Sequence, residues 1–526
     1  MIALLALRSL ASRPWRSLFL LFGYALGVGV MIVLLAIGEA LLTQARDERL
    51  VGGGEITVLP SGLDVEVMKT GGVGGLFFSI DNARFIYRQL LAAPRLSASV
   101  KVAAPQITRK LLYLRAHGAE YAVLATGEVP SRSEAVGAVP PLAAGEWRDD
   151  AGDRRWIAPT PYELYSEVDH FHIPPDGLAN PESWGEWHYF NVLSADHRSW
   201  AFISYIIGGD VREGEWGAQV AITLRTQDGS TRRFAATVPS DSVRFSTETP
   251  DLALCGASVK LLAADSAAPA GAGSAGAARY ELHARAREEE ETDSRFRGNG
   301  GSGSRGRSPA AVTVDLVVTP VPGALFPGAT LASGEFTSGY AVPGLRANAT
   351  GTICVSGACE HYDSAQSYHD HNWGVWRGVR WEWGATRAGS YTLLYGRVEP
   401  PASASSQPPL FLYLVDSLGF RALFRPREIS YVDGRTITVN GRSVKVPSSA
   451  VLADARGRDT IRVELSIEDA IGTDTRGSLV ERGEVAAARM LTTPYFIQMK
   501  GRARLSGSVN GAPLAGEGEG FFETYR

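Results

Sequence analysis

The chain has 526 residues, more than one hydrophobic core ordinarily holds, so two or three domains are expected. Its net charge of −4, with no basic stripe carrying interleaved aromatics, argues against a nucleic-acid binder. The 58 glycines and 11 tryptophans, with few long amphipathic runs, point to a β-rich body. Leu18 to Ile37 then reads as twenty residues without a charge, enough to cross a hydrocarbon core of about 30 Å as a helix. Arg8, Arg13 and Arg16 precede it, and Glu39, Arg46, Asp47, Glu48 and Arg49 follow. The positive excess predicts a cytoplasmic N-terminus, with the rest of the body on the other side of the membrane. Gly23 and Gly27 are spaced for close helix packing.

Leu5–Leu10, Arg16–Leu18 and Gly27–Val30 resemble the first helix of ABC permeases of the macrolide-exporter and lipoprotein-release type. Gly54–Pro60 resembles the opening strand of their periplasmic domain. That resemblance implies an ABC permease as a partner in the inner membrane and, taken with the charge bias, puts the bulk of the chain on the periplasmic face. No second apolar run of comparable length follows, so the chain forms no transport path alone. A helix is expected near Asp81 to Leu91, with strands at Leu111–Arg115 and Glu120–Ala125. Gly71–Gly75 lacks the Lys-Ser/Thr of a phosphate loop and reads as a plain glycine loop. A connector rich in Pro, Ala and Gly runs from Val129 to Pro159, and Pro161–Val168 reads as a short helix.

From Ser183 the chain reads as strands. Trp187–Leu193 and Trp200–Ile207 flank one turn, and Gln219–Arg225 and Thr231–Val238 flank another. Residues 263–309 hold an Ala/Gly/Ser/Pro-rich and charged insertion, interrupted by a strand at Arg279–His283, with Ala311–Thr319 as the returning strand. Further on, Tyr391–Val398, Pro409–Val415 and Phe420–Phe424 alternate, and Asn440-Gly441 sits at a hairpin turn. Ile461–Ile467, Tyr495–Lys500 and Gly518–Glu523 complete the strands. Cys354 and Cys359 flank a four-residue turn and suit a hairpin disulfide in an oxidising compartment. Cys255 reads as a buried apolar residue.

One stretch concentrates chemistry: Tyr368-His369-Asp370-His371-Asn372-Trp373-Gly374, followed by Trp376, Arg380, Trp381, Glu382 and Trp383. In a strand Tyr368, Asp370 and Asn372 share one face, and His369, His371 and Trp373 the other. An acid facing into an aromatic barrel has its pKa raised and stays a proton donor near neutrality. His170-x-His172 and His369-x-His371 each offer two imidazoles on one strand face, but nearly two hundred residues separate the pairs, and no metal or other cofactor is expected.

Tyr368–Gly374 resembles the Y-x-D-H-N-x-G signature of the carotenoid 1,2-hydratase and AttH-like family, and Glu186-Trp187-His188-Tyr189-Phe190 resembles its E-W-W-Y-F strand, with His188 replacing a Trp. The resemblance covers about 159–526 and implies two consecutive lipocalin-like antiparallel β-barrels. The implied division is an anchor (1–50), a small α+β segment (51–158), a first barrel (159–325) and a second (326–526). By the same resemblance Asp370 is the acid, Tyr368 its partner, and Tyr340 stands in for an upstream Trp; the family's upstream His is missing. Glu186, Trp187, His188, Tyr189, His371, Asn372, Trp373, Trp381, Trp383 and Glu523 are the expected ligand-binding residues. Three functions follow: a binder of a lipid, isoprenoid or other hydrophobic small molecule; a hydro-lyase or isomerase acting on an isoprenoid double bond; or a structural accessory subunit with filled barrels.

Overall fold

The computed structural model describes residues 12–46, 56, 58, 80–137, 147–178, 180–263, 278–289, 309–333, 336–401, 408–477 and 491–526. The Gly71–Gly75 loop, nearly all of Gly54–Pro60 and both flanks of the 263–309 insertion lie outside them. The chain divides into two compact units, residues 1–83 with 102–153 and residues 84–101 with 154–526.

In the first unit, Pro14–Arg46 is one helix, apolar and long enough over Pro14–Glu39 to cross a membrane. Space around Gly23 and Gly27 is open. The expected strand pair is a hairpin of Gln106–Ala116 and Ala119–Glu128, in which the Trp147 indole donates to Glu128.

The second unit is almost entirely antiparallel β, in two sheets. Eight strands of the first sheet close on themselves, in the order Trp184–Leu193, Trp200–Asp210, Glu215–Arg225, Thr231–Pro239, Arg279–Glu288, Ala311–Pro320, Phe336–Val355 and Ala358–Val375. Closure comes where Arg279–Glu288 pairs with both Thr231–Pro239 and Ala311–Pro320, and where Ala358–Val375 returns to Trp184–Leu193. Strict alternation fills the interior: Phe190, Val192, Ile203, Tyr205, Val220, Ile222, Leu282 and Val314 all point inward and are buried. The second sheet has nine strands, from Arg380–Ala388 to Ala512–Tyr525, wrapped around a separate core that includes Leu412, Val446, Leu465, Ile497 and Leu505.

Phe336–Val355 and Ala358–Val375 are thus laddered into the first sheet, and the second sheet begins at Arg380 rather than at the expected boundary of 326. The cause is length: Ala311–Pro320 must find a partner to close the barrel, and the long hairpin provides it over nine register pairs. At the tip of that hairpin Cys354 faces Cys359 in a disulfide, across a turn with Ser356 at φ 50° and Gly357 at φ 89°. Asn440 and Gly441 take the left-handed conformation expected of their turn. Cys255 is exposed, contrary to expectation, because it occupies the turn between Leu252–Leu254 and Ala257–Leu262.

Two further pieces position the site. Pro161–Asp169 is a helix begun by a capping box, the Thr160 hydroxyl accepting from Glu163 N and the Glu163 carboxylate from Thr160 N. Its last residue, Asp169, and the following Phe171 are both fully buried against the first barrel's core. Gln89 donates to the Tyr413 hydroxyl at 2.6 Å, tying residues 84–101 to the second sheet.

Candidate functional site

The Ala358–Val375 strand separates two chemically different places. Its odd residues, His369 and His371, enter the first barrel; its even residues, Tyr368 and Asp370, leave it. The expectation that Asp370 looks into a barrel is therefore corrected. It looks outward, into a seam where the second sheet covers the barrel's outer face, and is only 4 % exposed.

The seam is an apolar cluster containing Tyr189, Trp200, Phe202, Tyr340, Trp383, Phe411, Tyr413 and Phe521, with Trp187, Trp376 and Trp381 packed against it. Burying one such side chain is worth about 1.5–3 kcal/mol, so the seam itself holds the two sheets together. Polar groups thread it in order. The Trp383 indole donates to the Tyr368 hydroxyl at 2.8 Å, and that hydroxyl donates to Asp370 Oδ2 at 2.8 Å. Asn372 Nδ2 donates to Asp370 Oδ1 at 2.7 Å. No ion pair reaches Asp370 among the described residues. Burial pushes its carboxyl up to about 7, against the pull of the Tyr368 and Asn372 hydrogen bonds. Glu523, which accepts from the Trp381 indole at 2.7 Å, is likewise pushed up to about 7 by burial, with the charge of Asp370 adding to the effect. Tyr340 stands opposite Asn372 in register, and its ring meets that of Trp383 edge-on at 5.1 Å.

The other face of the same strand builds a second polar cluster, inside the first barrel. His371 lies opposite His188 in register, their rings stacked at 4.2 Å. Asp169, from the end of the helix, reaches His369 Nε2 at 2.9 Å and accepts from the Tyr280 hydroxyl at 2.7 Å. Glu186 Oε1 is 2.9 Å from His371 Nε2 and 2.8 Å from His172 Nδ1. His172 in turn stacks on Trp373 at 4.0 Å. Burial would raise the Asp169 carboxyl, but the imidazoles of His369 and His188 hold it well below its usual range. His188 is held well below its usual value, first by burial and then by the neighbouring His371.

The expected ligand-binding residues therefore divide. Trp187, Tyr189, Asn372, Trp381, Trp383 and Glu523 gather at the seam with Tyr368, Asp370 and Tyr340. Glu186, His188 and His371 lie inside the barrel, and Trp373 packs with Trp184, Ala341 and Val375. The two His-x-His pairs, distant in sequence, meet through His172, Glu186 and His371. Asp169 went unnoticed in the sequence. Its one sequence signal is the substitution at 188, which puts an imidazole instead of an indole beside the strand carrying His369 and His371.

The seam is closely packed. A recess beside it, bordered by Asn191, Leu345, Ser367, Tyr368, Arg387 and Phe521, leaves about 10 Å³ for the centre of a water molecule, room for about one water. Pockets for drug-sized ligands run to roughly 300–1,000 Å³.

No protein-family model matches the chain, and no curated protein matches it by sequence. Among solved structures it is similar to an AttH protein from Nitrosomonas europaea, at 13 % identity and TM-score 0.40, over 68 % of this chain and 98 % of that one. It is similar to kievitone hydratase from Nectria haematococca at 14 % identity and TM-score 0.40, over 70 % and 93 % of the two chains. CghA aligns over 68 % of this chain and 94 % of its own, at 14 % identity and TM-score 0.37. Likenesses this distant do not decide function; the atoms of the site have to.

Proposed function

We propose that this protein is anchored in the inner membrane by its N-terminal helix and binds a hydrophobic ligand, of the lipid or isoprenoid class, at the seam around Asp370. The observation that carries the reading is the placement of one acid, 4 % exposed and without a salt-bridge partner among the described residues, among Trp and Tyr rings. An acid so placed costs stability, and its retention at the centre of an apolar surface suits recognition of an apolar molecule with a basic, hydroxylated or electron-rich group. On this reading the ligand makes its own room by displacing seam side chains, Phe521 and Arg387 beside the recess among them.

A second reading, a hydro-lyase or isomerase, is favoured by the Trp383-to-Tyr368-to-Asp370 relay. There the Asp370 carboxyl gives its proton to an alkene carbon, and the aromatic faces stabilise the resulting cation. Water then captures the cation and returns a proton to the carboxylate.

A permease is the partner we infer for the anchor. The open flank at Gly23 and Gly27 supports close packing with another membrane helix.

Two measurements separate the readings. Asp370→Asn keeps the shape and one hydrogen-bonding face of the site, so it abolishes turnover of a polyene or terpenoid while leaving ligand binding intact. If the wild type alters no such compound, the enzymatic reading falls. If neither wild type nor variant binds any, the binding reading falls with it.

A further inference from the structure

The cluster inside the first barrel has no place in the seam's chemistry, and its polar accounting does not close. His188 is fully buried, yet neither ring nitrogen has a hydrogen-bond partner among the described residues. Among the described residues Asp169 Oδ1 and His371 Nδ1 have only each other, 3.0 Å apart and off the line of a good hydrogen bond. Each such orphan costs about 1–3 kcal/mol. His369 presents a choice that a neutral imidazole can meet at one nitrogen only. Its Nδ1 stands 3.0 Å from the Tyr189 carbonyl and its Nε2 2.9 Å from Asp169 Oδ2, so both nitrogens face acceptors.

One arrangement gives His369 Nε2, Asp169 and one ring nitrogen of His188 a partner at once. With Nδ1–H donating to the Tyr189 carbonyl, His369 turns an Nε2 lone pair toward Asp169, the orientation that a backbone carbonyl gives a metal-bound imidazole. We infer that Asp169, His188 and His369 form a binding site for one divalent transition-metal ion, of the zinc or ferrous class. One donor atom from each of these three lies within 4.8 Å of the others. Asp169 Oδ2 to His369 Nε2 is 2.9 Å and Asp169 Oδ1 to His188 Nδ1 is 3.5 Å. Ligands about 2.0–2.2 Å from a tetrahedral ion stand roughly 3.4 Å from each other, so small side-chain adjustments suffice. Two imidazoles with one carboxylate suit either ion.

The neighbouring group of His172, Glu186 and His371 is not the site. Glu186 and His172 carry no unpartnered buried side-chain atom among the described residues, whereas Asp169 and His188 do. Phe171 and Phe190 seal the chosen position against solvent, their rings 4.6 Å from His188 and 4.0 Å from His369. The ion is therefore structural. It clasps the end of the Pro161–Asp169 helix to the Trp184–Leu193 and Ala358–Val375 strands, and neither the seam nor its ligand is required for it.

The test is the metal content of the full chain, grown with zinc or with iron, extracted in detergent and purified without chelators. We expect about one equivalent of one of these ions per chain by inductively coupled plasma mass spectrometry, and in cobalt-grown protein the visible bands of a low-symmetry Co²⁺ site. His188→Gln and His369→Gln each reduce the content at least tenfold, whereas His170→Ala, outside the cluster, retains it. Wild-type protein with less than a tenth of an equivalent of any transition metal, and no cobalt bands, overturns the inference, and that result does not depend on a variant folding. Metal lost in Glu186→Gln but kept in His188→Gln overturns it too, because the ion would then belong to the neighbouring group.

Discussion

Asp370 and His371 are adjacent in one strand and serve opposite sides of it. His371 points into the first barrel between Asp169 and Glu186; Asp370 points out of it, to Tyr368 and Asn372. A wall one residue thick thus carries two buried polar sites, each built from its own neighbours. A substitution at either position leaves the backbone ladder intact and tests one side only.

The relay predicts a specific cost for Tyr368→Phe. The change leaves the buried Trp383 indole N–H without an acceptor and removes a donor from Asp370. The expected loss is about 1–3 kcal/mol, a fall of several degrees in the thermal midpoint of the second unit. An unchanged midpoint contradicts the relay.

Glu523 predicts a pH dependence. Its folded-state pKa of about 7 lies above the ordinary 4.5, through burial and then the charge of Asp370, while hydrogen bonds from Trp381 and Gln498 oppose the rise. The folded chain keeps this proton longer than the unfolded one. Its stabilising effect is complete below about pH 4.5 and disappears as pH rises through about 7. Glu523 retains some solvent contact, so the amplitude is on the order of 1–2 kcal/mol. Stability of the wild type minus that of Glu523→Gln, followed by urea titration from pH 4 to 8, falls across this window.

Gly374 closes the signature for a steric reason. Its φ is +135°, and a Cβ there would lie 2.4 Å from the Thr337 carbonyl oxygen. Gly374→Ala is expected to destabilise the second unit by at least about 2 kcal/mol. Wild-type stability in that variant would show that the strands part freely at this point.

The topology of the chain is tested through Cys255, which is exposed, while Cys354 and Cys359 are joined. With the bulk of the chain in the periplasm, a membrane-impermeant maleimide labels Cys255 in cells whose outer membrane alone is permeabilised, and Cys255→Ser abolishes the signal. Labelling only after the inner membrane is broken places that bulk in the cytosol.

Much of the β body was legible because alternation and turn chemistry are local. Asn440-Gly441, the 354–359 turn and the run from Tyr391 to Phe424 each encode their element within a few residues. What was not legible depends on which sheet a strand joins. Nothing local in Ala358–Val375 says that it pairs with Trp184–Leu193, so neither the face on which Asp370 is buried nor the meeting of His371 with His188 followed from the sequence. Asp169 was hidden for the same reason: its nearest partners, Tyr280, His369 and His371, are brought to it by the closure of the barrel.

The seam's role is tested most directly by native mass spectrometry of the full chain, extracted from its own membranes in mild detergent. The account predicts a bound lipid or isoprenoid at a fixed ratio to protein, displaced when the seam is filled by Ala385→Trp. Empty protein from native membranes, or a bound molecule whose ratio is unchanged in that variant, would contradict it.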